Sequence, residues 1–592
     1  MTARRPVQYV GIKQKRCSLR FGVAPCTAIG TPKCFQTWGT CKDQAHIDAL
    51  GSITWVFCAD GAAIMPTYSR DGEHIVTNPI PMLESVTAAS SEINVGSQRT
   101  AVAPLGVGSS ATLAFKDAPW DDRVGDYYRG DRAAPVSAPF WALFRARNAF
   151  YTGALVTVWD GYHGQALAEM QRRDYIIDTI SGPGSNGKVT ITAADPLRLA
   201  EAKDAKFPPE IDASLAADID AATTTIRVSA HAADLDKVCG NTALFYARIG
   251  DEIIAYTGHT LDGDGYRTLS GVQRGVLGST ADAHGANDAF SRVGRYERIQ
   301  HWRVAADLID NHTGIPTGYR DAAAWDDEGY SYMTTQKAGR TVISPTAVDA
   351  LLGQLCQQGG FSIWWDERQQ TIPLLANRPP QGQPGTITDD AILAGSSGLT
   401  DDVKAQVSRV AVYFDSRGPF NEGKPENYRV MRLNIDGFVE SAAAAGKSST
   451  LTIYADWITR ETDALRLAAR LLLRYRLIPQ YLTLSLDAFA GGSRRSINNG
   501  DVFDVVTASH IDSEGNPLAT RWQVIATDDT APGHTIKLKL QSYRFLGRFA
   551  VILPASAPDY ADATEAQREN GCWMADETTG LMPNGDAPYL IQ

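Results

Sequence analysis

The 592-residue chain has no apolar run long enough to cross a membrane. Its longest apolar stretches fall short of the ~18 consecutive residues that a membrane-spanning helix needs. The first 20 residues are basic but lack the apolar stretch of a secretory signal, so we expect neither a membrane protein nor a secreted one. A formal net charge of −11 argues against general nucleic-acid binding.

The sequence also lacks the common catalytic signatures. It contains neither His-Glu-x-x-His nor Gly-x-Ser-x-Gly, and its ten histidines are scattered singly. Residues 182–188 fit a Gly-x-Gly-x-x-Gly pattern, but Lys188 opens a strand where a phosphate site needs a helix, so we predict a hairpin turn. The acidic residues at 121–122 and 262–264 are as compatible with ordinary loop residues as with the catalytic carboxylate pair of a glycoside hydrolase. We therefore predict that the chain is not an enzyme.

The composition indicates a multidomain protein rich in short strands. Glycine and proline are abundant, with 52 and 29 residues, and 44% of the chain is hydrophobic. At ~100–200 residues per domain, the length predicts several domains. We predict a mainly β fold with α+β parts, in which residues 344–360 and 462–478 form helices and residues 250–251 form a hairpin turn. The expected apolar faces are Val348, Leu351, Leu352 and Leu355 on the first helix, and Leu465, Ala468, Leu472 and Tyr475 on the second. Arg466, Arg470 and Arg474 form a stripe on the second helix, which we interpret as a solvated face, or else as a contact with a neighbouring subunit.

The eight cysteines are unevenly distributed. Four of them, Cys17, Cys26, Cys34 and Cys41, lie in a segment that has eight basic residues and no acid, and the intervals between them are eight, seven and six residues. Residues 1–42 thus carry +8, which leaves −19 on the rest. The other four are scattered, at Cys58, Cys239, Cys356 and Cys572.

Three interpretations of the four-cysteine segment compete. Two disulfides need an oxidising compartment, which no signal peptide supports. Structural zinc usually shows a Cys-x2-4-Cys knuckle, which is missing here. An iron–sulfur cluster tolerates varied spacing, and a cluster held by four thiolates is anionic, so the surrounding basic residues favour it. The residues alone leave iron–sulfur, zinc, and disulfides or free thiols open.

These features together resemble tail-tip (baseplate) hub proteins of long-tailed, non-contractile bacteriophages and related gene-transfer particles. The resemblance lies first in Pro6–Tyr9 and in the four cysteine positions. It continues in 249–253 with 271–275, which looks like a small β module of phage tail proteins. It ends in 403–457, the arginine-rich helix and the Asn-Gly-Asp-Val sequence at 499–502.

The resemblance implies a fold and a set of partners. Such hubs are homotrimers of tail-tube-like β-barrel domains, and some members of the wider group carry an iron–sulfur cluster in a four-cysteine domain. The chain would then connect the tail tube to the central fibre and close or gate the DNA channel. Its partners would be itself, the distal tail, tail tube and tape-measure proteins, and DNA only in transit, without stable membrane association. It would be assembled in the host bacterial cytoplasm and reside in the virion.

On this basis we expect a [4Fe–4S] cluster on Cys17, Cys26, Cys34 and Cys41, with zinc as the alternative and Cys58 as a possible replacement ligand. The runner-up function is a tail-associated carbohydrate-active or wall-degrading enzyme, and a third is a redox protein. The expected domains are a cysteine-rich metal-binding module (1–60), a β-rich hub domain (61–200), an inserted small β module (201–295), an α+β hub domain (296–400), a β-rich hub domain with one long helix (401–548) and a C-terminal arm (549–592).

Overall fold

The computed structural model describes most of the chain between residues 5 and 591. The residues outside the description are 1–4, 49, 60–68, 72–73, 98–102, 122–125, 133–136, 335, 379–383, 421–422, 438, 441–447, 488–496, 509, 532–534, 544–547, 551–557, 559–561, 563, 565–588 and 592. Most of the expected C-terminal arm and Cys572 fall outside it.

A nine-stranded sheet dominates the first 200 residues. Its region contains β1 Pro6–Arg16, β2 Gly51–Cys58, β3 Ser69–Asp71, β4 His74–Val76, β5 Leu83–Ala89, β6 Ser110–Lys116, β7 Pro119–Asp121, β8 Ser137–Pro139, α1 Phe140–Arg147, β9 Leu155–Tyr162, β10 Gln171–Ser181 and β11 Lys188–Ala194. The sheet order is β3-β4-β2-β1-β9-β10-β11-β6-β5, and β7 pairs with β8 separately. One face packs on Phe140, Trp141 and Phe144 of α1, so alternating strand residues are buried.

The nine-stranded sheet is strongly curved. Strands β2 and β5 contact each other although five strands lie between them in the sheet order. Ile80, just before β5, bridges this gap because its N–H donates to the Val56 carbonyl (2.8 Å) and its carbonyl accepts the Cys58 N–H (3.0 Å). Within the described residues every sheet nevertheless keeps two edge strands. The mainly β class is confirmed, whereas the expected closed barrel is not.

The middle of the chain joins a small β module to a helical layer. Its elements are β12 Lys206–Phe207, β13 Ser214–Leu215, β14 Arg227–Ser229, α2 Ala232–Asp236, β15 Phe245–Ile249, β16 Glu252–Tyr256, β17 Gly258–Leu261, β18 Arg267–Ser270, β19 Phe290–Gln300, α3 His301–His312, α4 Ala322–Tyr332 and β20 Lys337–Val342. Two four-stranded sheets, β13-β14-β18-β17 and β16-β15-β19-β20, share a core that includes Ile226, Ile254 and Tyr256. The predicted turn at 250–251 joins β15 to β16.

The last part contains a six-stranded sheet and a three-stranded sheet. Its elements are β21 Thr346–Ala347, α5 Val348–Gly359, β22 Phe361–Ile363, β23 Leu374–Ala376, β24 Gly385–Thr388, β25 Gly398–Asp401, β26 Arg409–Ser416, β27 Tyr428–Ile435, β28 Thr450–Tyr454, α6 Glu461–Tyr475, β29 Gln480–Asp487, β30 Val502–Val506, β31 Thr520–Ala531, β32 Thr535–Ser542, β33 Arg548–Ala550 and β34 Tyr589–Ile591. The sheet orders are β24-β30-β31-β32-β29-β25 and β27-β26-β28. The remaining strands pair two by two, as β12 with β21, β22 with β23 and β33 with β34.

Helix α5 largely follows the prediction. The predicted apolar face, with Leu351, Leu352 and Leu355, is fully buried, and Cys356 lies in the same core. Gly360 ends the helix with a positive φ of 67°, which glycine adopts without a steric penalty. The helix begins at Val348, later than predicted, because residues 346–347 pair with β12 instead.

Helix α6 corrects the prediction for the arginine stripe. Arg470 and Arg474 are only 8% and 3% exposed, so they do not form a solvated face. The guanidinium of Arg474 donates to the side-chain oxygens of Asn377 (3.0 Å), Gln523 (2.8 Å) and Gln541 (3.1 Å). These acceptors lie in the same chain, so Arg474 ties the helix to the six-stranded sheet and does not reach a neighbouring subunit.

No helix in the described part of the chain is both long enough and apolar enough to cross a membrane. The division of the chain into six domains stays a prediction.

Candidate metal centre

The four clustered cysteines occupy a single loop at one end of the nine-stranded sheet. Strands β1 and β2 pair antiparallel, with Arg16 opposite Gly51 as the last pair. The chain between them, residues 17–50, is therefore a long hairpin connection, which we call the cysteine loop. Its two flanking strands lie inside the sheet, so the loop projects from the sheet as an extension of a central hairpin.

Hydrogen bonds within the loop bring its cysteines together. The N–H of Cys17 donates to the Gln36 carbonyl (2.8 Å), and Gln36 Nε2 donates back to the Cys17 carbonyl (3.0 Å). The Asp43 carboxylate accepts from the N–H and the hydroxyl of Thr27 (2.6 and 2.9 Å), next to Cys26. The N–H of Asp43 in turn donates to Cys41 Sγ (3.4 Å). The first two contacts join Cys17 to the segment just after Cys34, and the contacts of Asp43 join the segments around Cys26 and Cys41.

The segment around Cys34 is held by residues from much later in the chain. The Arg132 guanidinium donates to the carbonyls of Lys33 (3.1 Å) and Cys34 (2.9 Å). It also lies over the ring of Phe35 at 3.9 Å, and Arg147 lies 3.7 Å from the same ring. Asp126 fixes Arg132 through an ion pair of 2.5 Å. No sequence pattern predicts these partners, because about a hundred residues separate them from the loop.

The thiols of the cysteine loop influence one another's protonation. Burial raises the pKa of Cys34, and the neighbouring thiolates of Cys41, Cys17 and Cys26 raise it further. Burial also raises the pKa of Cys41, again with contributions from Cys17 and Cys26. All four side chains are intermediate in exposure and none forms a disulfide. The four cysteines therefore share one loop, and none of them is in a disulfide in this structure.

The donor set fits a thiolate-bound metal, although the sulfurs do not form a ready-made coordination shell. Four half-buried thiols are the ligands that iron–sulfur clusters and structural zinc use, although the Asp43 carboxylate lies beside Cys41. Within the described residues, however, no three His, Cys, Asp or Glu side chains are gathered at metal-binding separation. Metal binding would therefore have to draw the thiols closer together.

Cys58 lies far from this loop. It is fully buried at the end of β2, opposite Tyr9, in a small core with Val56 and Met170. It is seven positions along the strand from Gly51, which at ~3.3 Å per residue is roughly 23 Å. Its position leaves the four loop cysteines as the candidate ligands.

Two of the acids that the sequence offered for catalysis share a structural partner. Asp262 and Asp264 both bind the Arg227 guanidinium, at 2.8 and 2.6 Å. Asp122 lies outside the described residues. The segment 182–188 forms the predicted hairpin between β10 and β11, with the Gly187 N–H donating to the Gly184 carbonyl (2.9 Å).

A groove between α4, the β22–β23 hairpin and residues 498–503 also contains carboxylates. Asp501 is half-buried, and burial raises its pKa, with a further contribution from the charge of Asp366. One Asp501 oxygen accepts the Asn498 N–H (2.8 Å), while Asp366 accepts the N–H groups of Arg368 and Gln369, both at 3.0 Å. Both acids thus stabilise turns, and burial raises the pKa of Asp501.

Comparison with known proteins gives structural neighbours only. No family model and no curated protein matches the chain. Among solved structures it is similar to a tail protein from Neisseria meningitidis, at 10% identity over 77% of this chain and 91% of that one, with a TM-score of 0.34. It is similar to the 43 kDa tail protein of prophage MuSo2 from Shewanella oneidensis, at 10% identity over 78% and 97%, with a TM-score of 0.34. It is also similar to a prophage tail protein from Listeria monocytogenes, at 9% identity over 76% and 87%, with a TM-score of 0.33. Identities and TM-scores this low leave function to be argued from the chain's own residues.

Proposed function

We propose that the chain is the structural hub of the tail tip of a long-tailed, non-contractile bacteriophage or a related gene-transfer particle. The observation that carries this proposal is the cysteine loop. Four half-buried thiols share this loop, at the positions where the sequence most resembles such hubs. In this role the chain is a homotrimer in the virion that connects the tail tube to the central fibre. It contacts the distal tail and tape-measure proteins, and DNA passes through without staying bound.

Contacts between distant parts of the chain support a mechanical role. Lys539 Nζ forms an ion pair with Glu92 (2.6 Å), which joins the last strands to the segment after β5. Trp365 Nε1 donates to the Asp174 carbonyl in β10 (3.0 Å). Such cross-links make the sheets resist displacement relative to one another, as a component between a tube and a fibre requires.

The metal's role in this proposal is structural. An iron–sulfur cluster of the [4Fe–4S] type, with zinc as the alternative, would supply bonds to Cys17, Cys26, Cys34 and Cys41 that hold the cysteine loop closed. The loop has few buried apolar side chains of its own, chiefly Phe21 and Ala28. Metal binding would therefore contribute folding free energy to the loop directly.

The hub proposal is tested on particles and on the purified chain. Gold-labelled antibodies against the chain should bind one end of the tail in electron micrographs. The purified chain should have a mass about three times 64.0 kDa. Labelling along the whole tail, or absence of the chain from particles, would overturn the proposal.

The metal is tested by iron, zinc and acid-labile sulfide analysis of anaerobically purified chain. We expect iron with sulfide, and visible absorption that Cys26→Ser abolishes. Cys239→Ser is the matched control, because Cys239 is buried away from the loop and its loss should leave the metal content unchanged. A colourless protein that contains zinc would show that the metal is zinc and not an iron–sulfur cluster. A metal-free protein would refute the metal site.

The alternative is a tail-associated carbohydrate-active or wall-degrading enzyme, and the raised pKa of Asp501 in its groove is the observation that favours it. Purified chain should then release soluble fragments from bacterial wall polymer, and Asp501→Asn should stop the release. Under the hub proposal, in contrast, the purified chain releases no fragments from the wall polymer.

A further inference from the structure

A groove of about 410 Å³ lies where the small β module meets the three-stranded sheet. Its walls include residues 295–298 of β19, 339–341 of β20, 415–419 at the end of β26 and just after it, and Arg429 near the start of β27. We call it the arginine groove. It is separate from the cysteine loop and from the groove that contains Asp501, because it shares no lining residue with either.

Backbone hydrogen bonds fix the two sides of the arginine groove to each other. The Gly339 N–H in β20 donates to the Trp457 carbonyl (3.0 Å), and the Asp415 N–H in β26 donates to the Ile458 carbonyl (3.0 Å). Strands β20 and β26 belong to different sheets, so residues 457–458 join the two sheets at this point. The groove is therefore a fixed feature of the fold and not a gap between loosely packed parts.

Positive charge dominates the arginine groove. Five arginines and three acids line it, which leaves an excess of two positive charges. The Arg429 guanidinium lies 3.6 Å from the Asp415 carboxylate, beyond hydrogen-bond distance, so its donors remain available to a ligand. The other two ion pairs join Arg295 to Glu297 (3.2 Å) and Arg340 to Asp456 (3.8 Å).

Arg298 and Arg417 supply the excess of positive charge. Both side chains are exposed, and neither forms an ion pair with any residue in the described part of the chain. Arg417 Nε lies 3.5 Å from the Tyr428 carbonyl oxygen, which is a neutral acceptor and directly precedes Arg429. The groove therefore holds cations that no acid of the chain compensates.

The backbone around the groove is strained. Among the described residues, six other than glycine have a positive φ, and three of these six line the groove: Leu277 (56°), Arg298 (54°) and Asp415 (57°). Such conformations persist only where the surrounding structure enforces them, and they are concentrated at ligand sites. Arg298 also lies in a bulge of β19 between the pairs of Tyr296 and Ile299, and bulges redirect side chains. The backbone of these residues is thus held in place before a ligand binds.

We propose that the arginine groove binds a phosphate group. A phosphate monoester carries a charge of about −1.5 to −2 near pH 7, which matches the excess of two positive charges in the groove. Its oxygens point in several directions, so guanidinium groups from β19, from the loop after β26 and from β27 can each donate to a different oxygen. A carboxylate has two oxygens in one plane and would use fewer of these donors. Free phosphate esters and the phosphodiester backbone of DNA both supply this chemistry.

The test is a titration of the full chain with inorganic phosphate, followed by ³¹P nuclear magnetic resonance at about 50 mM salt, where screening is reduced. We expect saturable binding of one phosphate per chain. Arg298→Gln with Arg417→Gln should weaken this binding at least about tenfold, because both uncompensated charges and their hydrogen bonds are lost. A second titration uses a single-stranded DNA oligonucleotide without terminal phosphates. Binding of the oligonucleotide alone, weakened by the same double variant, would support the phosphate site and identify its ligand as a phosphodiester backbone.

Arg198→Gln with Arg521→Gln is the matched control. It removes the same charge from two arginines outside the groove, whose side chains are 56% and 41% exposed, and it should change the affinity by less than about twofold. Both double variants should keep the circular dichroism spectrum of the wild type, because all four arginines are exposed.

Three results would overturn the phosphate site. Neither probe binds, the groove variant binds as tightly as the wild type, or the two double variants lose affinity equally. The hub proposal does not depend on this site, and the particle-labelling experiment decides it separately.

Discussion

A buried ionic network in the small β module gives the sharpest prediction. The Glu252 side chain is fully buried and accepts five hydrogen bonds. Two come from the Arg274 guanidinium (2.6 and 2.7 Å), one from the imidazole of His284 (2.9 Å) and two from backbone N–H groups at Gly275 (2.9 Å) and Asp282 (3.2 Å). Together they fix the loop between β18 and β19 against the sheet.

These contacts set the protonation of Glu252. Burial alone would raise its pKa, but the hydrogen bonds from Arg274, His284 and the backbone outweigh burial and lower the pKa from 4.5 to about 2. At 1.36 kcal/mol per unit, the ionised form stabilises the folded module by about 3 kcal/mol. Because the folded pKa is depressed, this stability is complete above pH 4.5 and is lost as the pH falls towards 2. About 2 kcal/mol should be gone at pH 3.

Hydrogen exchange measured by mass spectrometry reports the stability of the small β module by itself. A local measurement is needed because a chain with several cores does not unfold in one step. After correction for intrinsic exchange rates, the amides of Gly275 and Asp282 should lose protection between pH 4.5 and 2. Glu252→Gln should lower their opening free energy by about 3–5 kcal/mol at pH 7, because it leaves the Arg274 charge buried and unpaired. At pH 2 the difference in opening free energy between variant and wild type should be about 3 kcal/mol smaller than at pH 7.

Asp251→Asn provides a matched control, since the neighbouring Asp251 also pairs with an arginine but is 93% exposed. Its removal should change the opening free energy by less than about 1 kcal/mol. If Glu252→Gln left the protection of Gly275 and Asp282 unchanged at pH 7, the buried pair would not stabilise the module and the reasoning would be refuted.

Two further predictions concern packing. Gly240→Ala should destabilise the small module by more than about 3 kcal/mol in hydrogen exchange, because φ is 94° and the added Cβ would lie 1.8 Å from the Arg295 carbonyl oxygen. Gly265→Ala, with φ of 90° and open space around it, should cost only about 1 kcal/mol, and equal effects would contradict the steric argument. Arg474→Ala should lower the free energy of unfolding of the α6 region by about 3 kcal/mol or more, because it leaves three buried amide oxygens without a donor. Arg429→Ala, at a 59% exposed side chain, should have no measurable effect, and a similar loss in both variants would argue against burial as the cause.

Local patterns predicted the elements whose stability depends on near neighbours. The alternation in 188–192 gave β11, and the Gly-Asp turn at 250–251 joined β15 to β16 as expected. Gly360 ended α5 because only the local backbone conformation decides a helix cap. In each case the residues that interact are within a few positions of one another, so spacing along the chain carries the information.

Helix α6 shows where such patterns fail. Its period was evident, but Leu465, expected in the apolar face, is 39% exposed, while Arg470 and Arg474 are buried. The helix lies between the three-stranded sheet, against which Leu467 and Leu471 pack, and a polar layer that accepts the arginines. A sequence shows that a helix has two faces, but it does not show that both faces pack against other parts of the protein.

The candidate metal centre also has features that the sequence predicted and features that only the structure showed. The sequence by itself determined that four cysteines with a surplus of basic residues share one short segment, and this limited the site to the first 42 residues. Only the tertiary structure decided that the segment is a hairpin loop between two central strands, with Cys58 at the far end of the second. Arg132 and Arg147 hold the loop from about a hundred residues away. Contacts over such separations form only once the sheet has folded, and for that reason no spacing along the chain could reveal them.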